Sequence, residues 1–199
     1  ITITSNNAAY GDVNPKSAKA GIATTVAITA SPAEGYEFVK WTAPNSITLS
    51  STTNANATIT KATAKCTVSA TFQEKTHPVL ISYKCGNTSI QSDATQSVGE
   101  AKATSITAPE HTGYTFTGWT LGTGITNHSA NTTANPISIT TNSTGSGYTL
   151  TANYTKNSYT FNLMQAEGGN VTATVGGNAI TLPAQLEHGI KIALTATAD

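Results

Sequence analysis

In "VAITA" (26–30), Val26, Ile28 and Ala30 alternate with Ala27 and Thr29; in "CTVSATF" (66–72), Cys66, Val68, Ala70 and Phe72 alternate with polar partners. "VLISY" (79–83) and "YTFNL" (159–163) carry the same pattern. A period of two puts one row of side chains in a core and the other in water, which predicts β-strands. No stretch holds a helical period: the best candidate, "DATQSVGEAKA" (93–103), is interrupted by Gly99. Turn signals fall at "GSG" (145–147), "EGGN" (167–170) and "GGN" (176–178). The predicted class is all-β, mainly antiparallel, with little or no helix.

The pattern also repeats along the chain. Trp41 and Trp119 lie 78 residues apart, and so do Gly35-Tyr36 and Gly113-Tyr114, Phe38 and Phe116, Ile28 and Ile106, and Gly21 and Gly99. "ITITSNNAAYGDV" (1–13) aligns without gaps on "YTFNLMQAEGGNV" (159–171), and "TVSATFQ" (67–73) matches "TLTANYT" (149–155). Fixed-period self-similarity is the signature of tandem units. It predicts complete repeats at 1–75 and 77–156, then the first half of a third at 159–199. The junctions, "EKTHP" and "TKNS", are short and polar, so freedom between neighbours should be limited.

The strongest shared feature is Gly-Tyr-x-Phe-x-x-Trp, as "GYEFVKW" (35–41) and "GYTFTGW" (113–119). Gly35 and Gly113 are expected where the backbone needs positive φ or a close approach. Tyr36 and Phe38 share a strand face, as do Tyr114 and Phe116. Trp41 and Trp119 break that parity, and a β-bulge would return them to the core, with Gly118 a natural bulge residue. A domain of this size buries only about 60% of its unfolded-chain surface, so it needs its largest side chains inside. Burying one aromatic contributes about 2–3 kcal/mol. A core role is therefore predicted for all eight motif residues. An exposed aromatic platform is the competing reading, and the exposure of the two Trp side chains decides between them.

This motif follows an alternating strand ending in Pro ("ITASP", "ITAPE") and precedes a strand ending in an aromatic ("SATF", "TANY"). Together these features resemble the internalin-B B-repeat family, also called the Listeria–Bacteroides repeat, across nearly the whole chain. Copy one is similar to its divergent branch and copy two to its main branch. Copy three departs, with an extra "TATVGGNAITLPAQ" before Gly189 that reads as an added hairpin. The resemblance implies small β-grasp-like repeats at a bacterial cell surface, serving to attach or extend, with no catalysis. Ig-like β-sandwich repeats are the alternative fold.

Composition narrows the function further. Formal net charge is zero and 10% of residues are charged, against about 25% in ordinary soluble proteins. No basic patch exists to attract a polyanion, so nucleic acid is not an expected partner. No apolar run reaches membrane-spanning length. The chain starts at Ile1 and its only methionine is Met164, which is read as a mature protein or a fragment. Cys66 and Cys85 fit no zinc spacing and share parity with apolar neighbours; they are expected as small buried residues, with a disulfide as the alternative. His77, His111, His128 and His188 are scattered. Asp12, Asp93 and Asp199 have no second carboxylate nearby for hydrolysis or calcium. Strand geometry would place Glu34 and Glu37 on opposite faces. No nucleophile elbow or phosphate loop occurs. No catalytic, cofactor or metal residue is assigned. Asn-x-Ser/Thr matches at Asn56, Asn127, Asn131 and Asn153 are expected by chance in a Thr-rich chain.

The functional expectation is an extracellular stalk or adhesin module whose partners are further repeats of the same parent chain. The alternative is recognition of a host glycan or protein through loops. For that reading the candidates are Tyr10, Asn127 and His128, the last two in the polar stretch "GTGITNHSANTTANP" (122–136). In 159–199, which lacks the aromatic motif, Tyr159, Phe161, Leu163, Ile190, Ile192 and Leu194 are expected to face water. The segment should then be completed by chain beyond Asp199 or by strands of a neighbouring chain.

Overall fold

The computed structural model describes residues 1–19, 24–164 and 167–199; Gly21, one of the offset pairs, lies outside the described residues. All described elements are strands. The first copy supplies β1 (Thr2–Ser5), β2 (Gly11–Asn14), β3 (Val26–Pro32), β4 (Tyr36–Thr42), β5 (Ile47–Leu49), β6 (Asn56–Ala62) and β7 (Thr67–Glu74). The second supplies β8 (Thr76–Cys85), β9 (Thr88–Gly99), β10 (Thr104–Ile106), β11 (Tyr114–Leu121), β12 (Ile125–Asn127), β13 (Ile137–Thr141) and β14 (Thr149–Lys156). The last segment holds β15 (Ser158–Phe161), β16 (Gly169–Val175), β17 (Asn178–Ala179), β18 (Ala184–Glu187) and β19 (Ile192–Ala198). The helical candidate at 93–103 is largely strand β9.

Each of the first two copies folds as two facing sheets over one core. In the first, β1-β7-β4 faces β2-β3-β6-β5; in the second, β11-β14-β8-β9 faces β10-β13-β12. Ile3, Trp41, Val68, Ala70 and Phe72 from one sheet meet Val13, Ile28, Ala57 and Ile59 from the other. Their counterparts Ile81, Trp119, Leu150, Ala152 and Tyr154 meet Ile106, Ile137 and Ile139. Alternation explains the inward rows: β7 and β14 share one burial pattern in which every second residue is buried. The copies differ at the second strand. β2 crosses to pair with β3, whereas β9 stays hairpinned to β8.

Among the described residues, strand pairing is antiparallel except at two places. β1 runs parallel to β7, from Thr2 opposite Thr67 to Ser5 opposite Ala70. β8 runs parallel to β14, from Leu80 opposite Thr149 to Cys85 opposite Tyr154. In both copies, then, the first strand lies beside the last.

The expected bulge is present in both copies. Opposite β7 the register of β4 slips between Phe38 and Lys40, and opposite β14 that of β11 slips between Phe116 and Gly118. The slip turns Trp41 and Trp119 inward, leaving them 2% and 4% exposed. Gly118 takes φ 144°, whereas among the described residues no non-glycine residue, Lys40 included, has positive φ. The bulge itself therefore does not require glycine.

Both cysteines are free and only half-buried, which corrects the expectation of burial. Cys66 precedes β7 and Cys85 ends β8, so both sit at strand ends, at the margin of the core. Cys85 keeps the parity of Ile81 and Tyr83, but it is the last residue of β8, beside the turn at Gly86 and beyond the buried cluster.

In the last segment β15 pairs with β18, and β16 lies between β17 and β19. The expected hairpin is there: Val175 pairs with Asn178 across Gly176 and Gly177. Gly169 pairs with Ala198 as Gly11 pairs with Pro32, so β16 and β19 are the counterparts of β2 and β3. Tyr159, Ile190 and Leu194 are exposed, as expected. Phe161, Leu163 and Ile192 are half-buried instead, a correction that follows in part from β18 lying beside β15.

Candidate functional site

The Gly-Tyr motif lies at the meeting point of successive copies. β7 ends at Glu74 and β8 begins at Thr76, so Lys75 alone connects them. The Lys75 N–H donates to the Gly35 carbonyl (2.9 Å), and the Lys75 carbonyl accepts from the Glu100 N–H (3.0 Å). The next joint repeats this: Asn157 N–H to Gly113 O (2.8 Å), then His188 N–H to Asn157 O (2.8 Å). Gly35 and Gly113 have φ 75° and 80°, and both face the following copy closely. A Cβ on Gly35 would sit 2.8 Å from the Ala101 Cβ, and one on Gly113 would overlap the His188 ring. Two demands therefore converge on each glycine: left-handed backbone and a surface flat enough for the next copy.

Side chains reinforce the first joint. The Glu74 carboxylate accepts from the Lys102 N–H (2.5 Å), and His77 Nε2 lies 2.6 Å from Glu100 Oε1. Tyr10 stacks on Tyr36 with centroids 4.6 Å apart, and the Lys102 ammonium donates to the Tyr10 hydroxyl (2.9 Å). That hydrogen bond, with the charge behind it, pulls the Tyr10 phenol below its usual pKa and pushes Lys102 up. The pair is exposed, so it adds little stability. At the second joint an ion pair, Lys156–Glu187 at 3.6 Å, links the second copy to the last segment.

The other motif residues pack within their copies. Phe38 lies against Trp41 (5.5 Å) and Phe72 (6.0 Å); Phe116 lies against Trp119 (5.4 Å) and Tyr154 (5.7 Å). Trp41 Nε1 donates to the Asn54 carbonyl and Trp119 Nε1 to the Ala134 carbonyl, each at 3.0 Å. Tyr36 is buried, while Tyr114 is half-buried.

The loop candidates do not form one site. Tyr10 is engaged at the joint. Asn127 and His128 lie at the end of β12: Asn127 Oδ1 accepts from Ser129 N–H (2.8 Å), and His128 Nε2 contacts Thr140 Oγ1 (2.9 Å). Two clefts stand out among the described residues. One, of about 740 Å³, opens at the first joint between Gly35 and Ala101 on one side and Thr126, Thr140 and Asn142 on the other. The second, of about 640 Å³, is lined by His111, Tyr114, Phe116 and Tyr154 with Glu110 at its rim. Burial, and then Tyr83, pushes the Tyr154 phenol up to about 12; its hydroxyl donates to the Pro109 carbonyl (2.7 Å). Among the described residues no group of three or more His, Cys, Asp or Glu could hold a metal ion.

Sequence reasoning missed Glu74, Glu100, Ala101 and Lys102. The shared offset compares copies with each other and says nothing of residues one copy presents to the next.

A model of the divergent InlB B-repeat domain matches residues 1–76 and 81–158. The chain belongs to that family. The divergent B-repeat model takes in both copies, and each match carries one Gly-Tyr-x-Phe-x-x-Trp motif of the B-repeat kind. No curated protein matches the chain.

Proposed function

We propose that this chain is a non-enzymatic spacer segment of a bacterial cell-surface protein, located outside the cell. It is built from complete repeats at 1–75 and 77–156, with 159–199 opening a third, and its partners are further repeats of its parent. One observation carries this reading: the same backbone joint is made twice, through Gly35 and Gly113, with one connecting residue each time. A repeated joint with no slack holds successive units in a fixed relation, which a spacer needs and an isolated binding domain does not. The buried tryptophans support it, because they offer no platform to a ligand. Small-angle X-ray scattering of the 199-residue chain tests the reading. A single arrangement of the first two copies should fit the profile, and a profile that requires many relative orientations would overturn it.

A second reading rests on an asymmetry between the copies. Tyr10 covers Tyr36, but the shared offset puts Thr88 where a cover for Tyr114 would stand. The cleft beside Tyr114 combines aromatic faces with the Glu110 carboxylate, which suits the C–H face and hydroxyls of a sugar ring. Titration with an oligosaccharide panel, repeated on Tyr114→Ala, tests it. Binding that is lost in the variant supports a glycan role, and silence across the panel at millimolar sugar removes it.

A further inference from the structure

We propose that each complete repeat is a shear clamp through which the chain carries tension, a property that deepens the spacer reading and rests on it. The chain enters the second copy at the start of β8 and leaves at the end of β14. These strands are nearest neighbours and run parallel over six paired residues, Leu80–Cys85 against Thr149–Tyr154. Parallel pairing puts the entry and exit points at opposite ends of the ladder. A pull along the chain therefore loads all its hydrogen bonds together, sliding one strand along the other. An antiparallel terminal pair would open one bond at a time. The first copy has the same arrangement in β1 and β7, over four paired residues.

Two further features fit this use. The ladders are backed by buried apolar side chains, Ile3, Val68 and Ala70 in one copy and Ile81, Leu150 and Ala152 in the other. Such backing keeps water from replacing strained bonds and strengthens them electrostatically. The joints add no give. Lys75 and Asn157 are each held by a backbone bond on either side, so tension leaving β7 passes straight into β8, and tension leaving β14 into β15. The last segment is different. Its first strand, β15, pairs with β18, and its last, β19, pairs with β16, so no ladder joins entry to exit.

Single-molecule stretching of the full chain, held at its two ends, tests the clamp, because forced unfolding reports the unfolding barrier rather than equilibrium stability. Residues 158–199 should release first at low force, followed by two discrete high-force events. The second copy should resist about 1.5-fold more force than the first, in proportion to its paired residues. A low-force release of all three segments would overturn the proposal, and the native chain contains that comparison without any substitution. A second measurement changes only the direction of load. In a C66S/C85S/S146C chain, shown by circular dichroism to fold and melt as the native one does, handles are placed at the N-terminus and at position 146. Position 146 adjoins the start of β14, so the β8–β14 ladder is now peeled from one end. The force for the second copy should fall at least about twofold; equal force in the two geometries would overturn the clamp. That failure would leave the scattering profile, and with it the spacer reading, intact.

Discussion

Trp41 and Trp119 have the same job in both copies: each fills the space between two sheets and also ties a loop by its indole N–H. Trp41→Ala and Trp119→Ala should each cost about 3–5 kcal/mol, since they combine a large cavity with an unpaired loop carbonyl. Denaturant melts check this, and a loss under about 1 kcal/mol would show that the rings are not part of the core. Tyr154 supplies a pH test. Its phenol titrates at about 12 in the folded chain against 10.0 unperturbed. Below pH 10 it is neutral in both states, so its contribution is fully present. Between about 10 and 12 the unfolded chain ionises and the folded chain does not, so stability falls as pH rises through this window. Thermal melts of the second copy should show that fall, and Tyr154→Phe should flatten it.

At the level of elements, the joint glycines can be separated from ordinary turn glycines. Gly86, between β8 and β9, has φ 58° with open space where a Cβ would go, whereas Gly35 has φ 75° and faces Ala101. Gly86→Ala therefore suffers only the strain of a Cβ in left-handed backbone, about 1–2 kcal/mol. Gly35→Ala suffers the same strain and also pushes the second copy away. With the two cores read separately by hydrogen exchange at rising denaturant, Gly35→Ala should split the transitions of the two copies further apart. Gly86→Ala should lower only the second. Identical transitions for the two variants would show that Gly35 serves its own turn and not the joint.

Across the whole molecule, order should decline toward the last segment. Among the apolar residues of 158–199, Ala173 is buried at 5% exposure, while Tyr159 and Leu194 are 52% and 56% exposed. The segment contains counterparts of β1, β2 and β3, and the faces those strands turn toward β7 and β6 in the first copy are open here. Native-state hydrogen exchange on the monomeric chain should be faster across β19 than across β3. Equal protection would show that 159–199 folds as an independent unit and that the repeat frame is misplaced.

Alternation and offset were enough to establish an all-β chain, the tandem period, the bulge before each Trp and the hairpin inserted in the third copy. These features are local or self-similar, so each is written into a short window or a comparison of two windows. Other features were invisible for a stated reason. The cysteines miss the core because both sit at strand ends, where parity no longer guarantees burial. β2 and β9 part company because crossing to the second sheet or staying hairpinned depends on partners far along the chain. The parallel neighbours β1–β7 and β8–β14 join residues more than 60 positions apart, and no pattern within either strand names the other. The joint is the clearest case. Sequence marked Gly35 and Gly113 as positions of positive φ or close approach, but the approaching residues, Ala101 and His188, belong to the next copy, and only packing one unit on another brings them there.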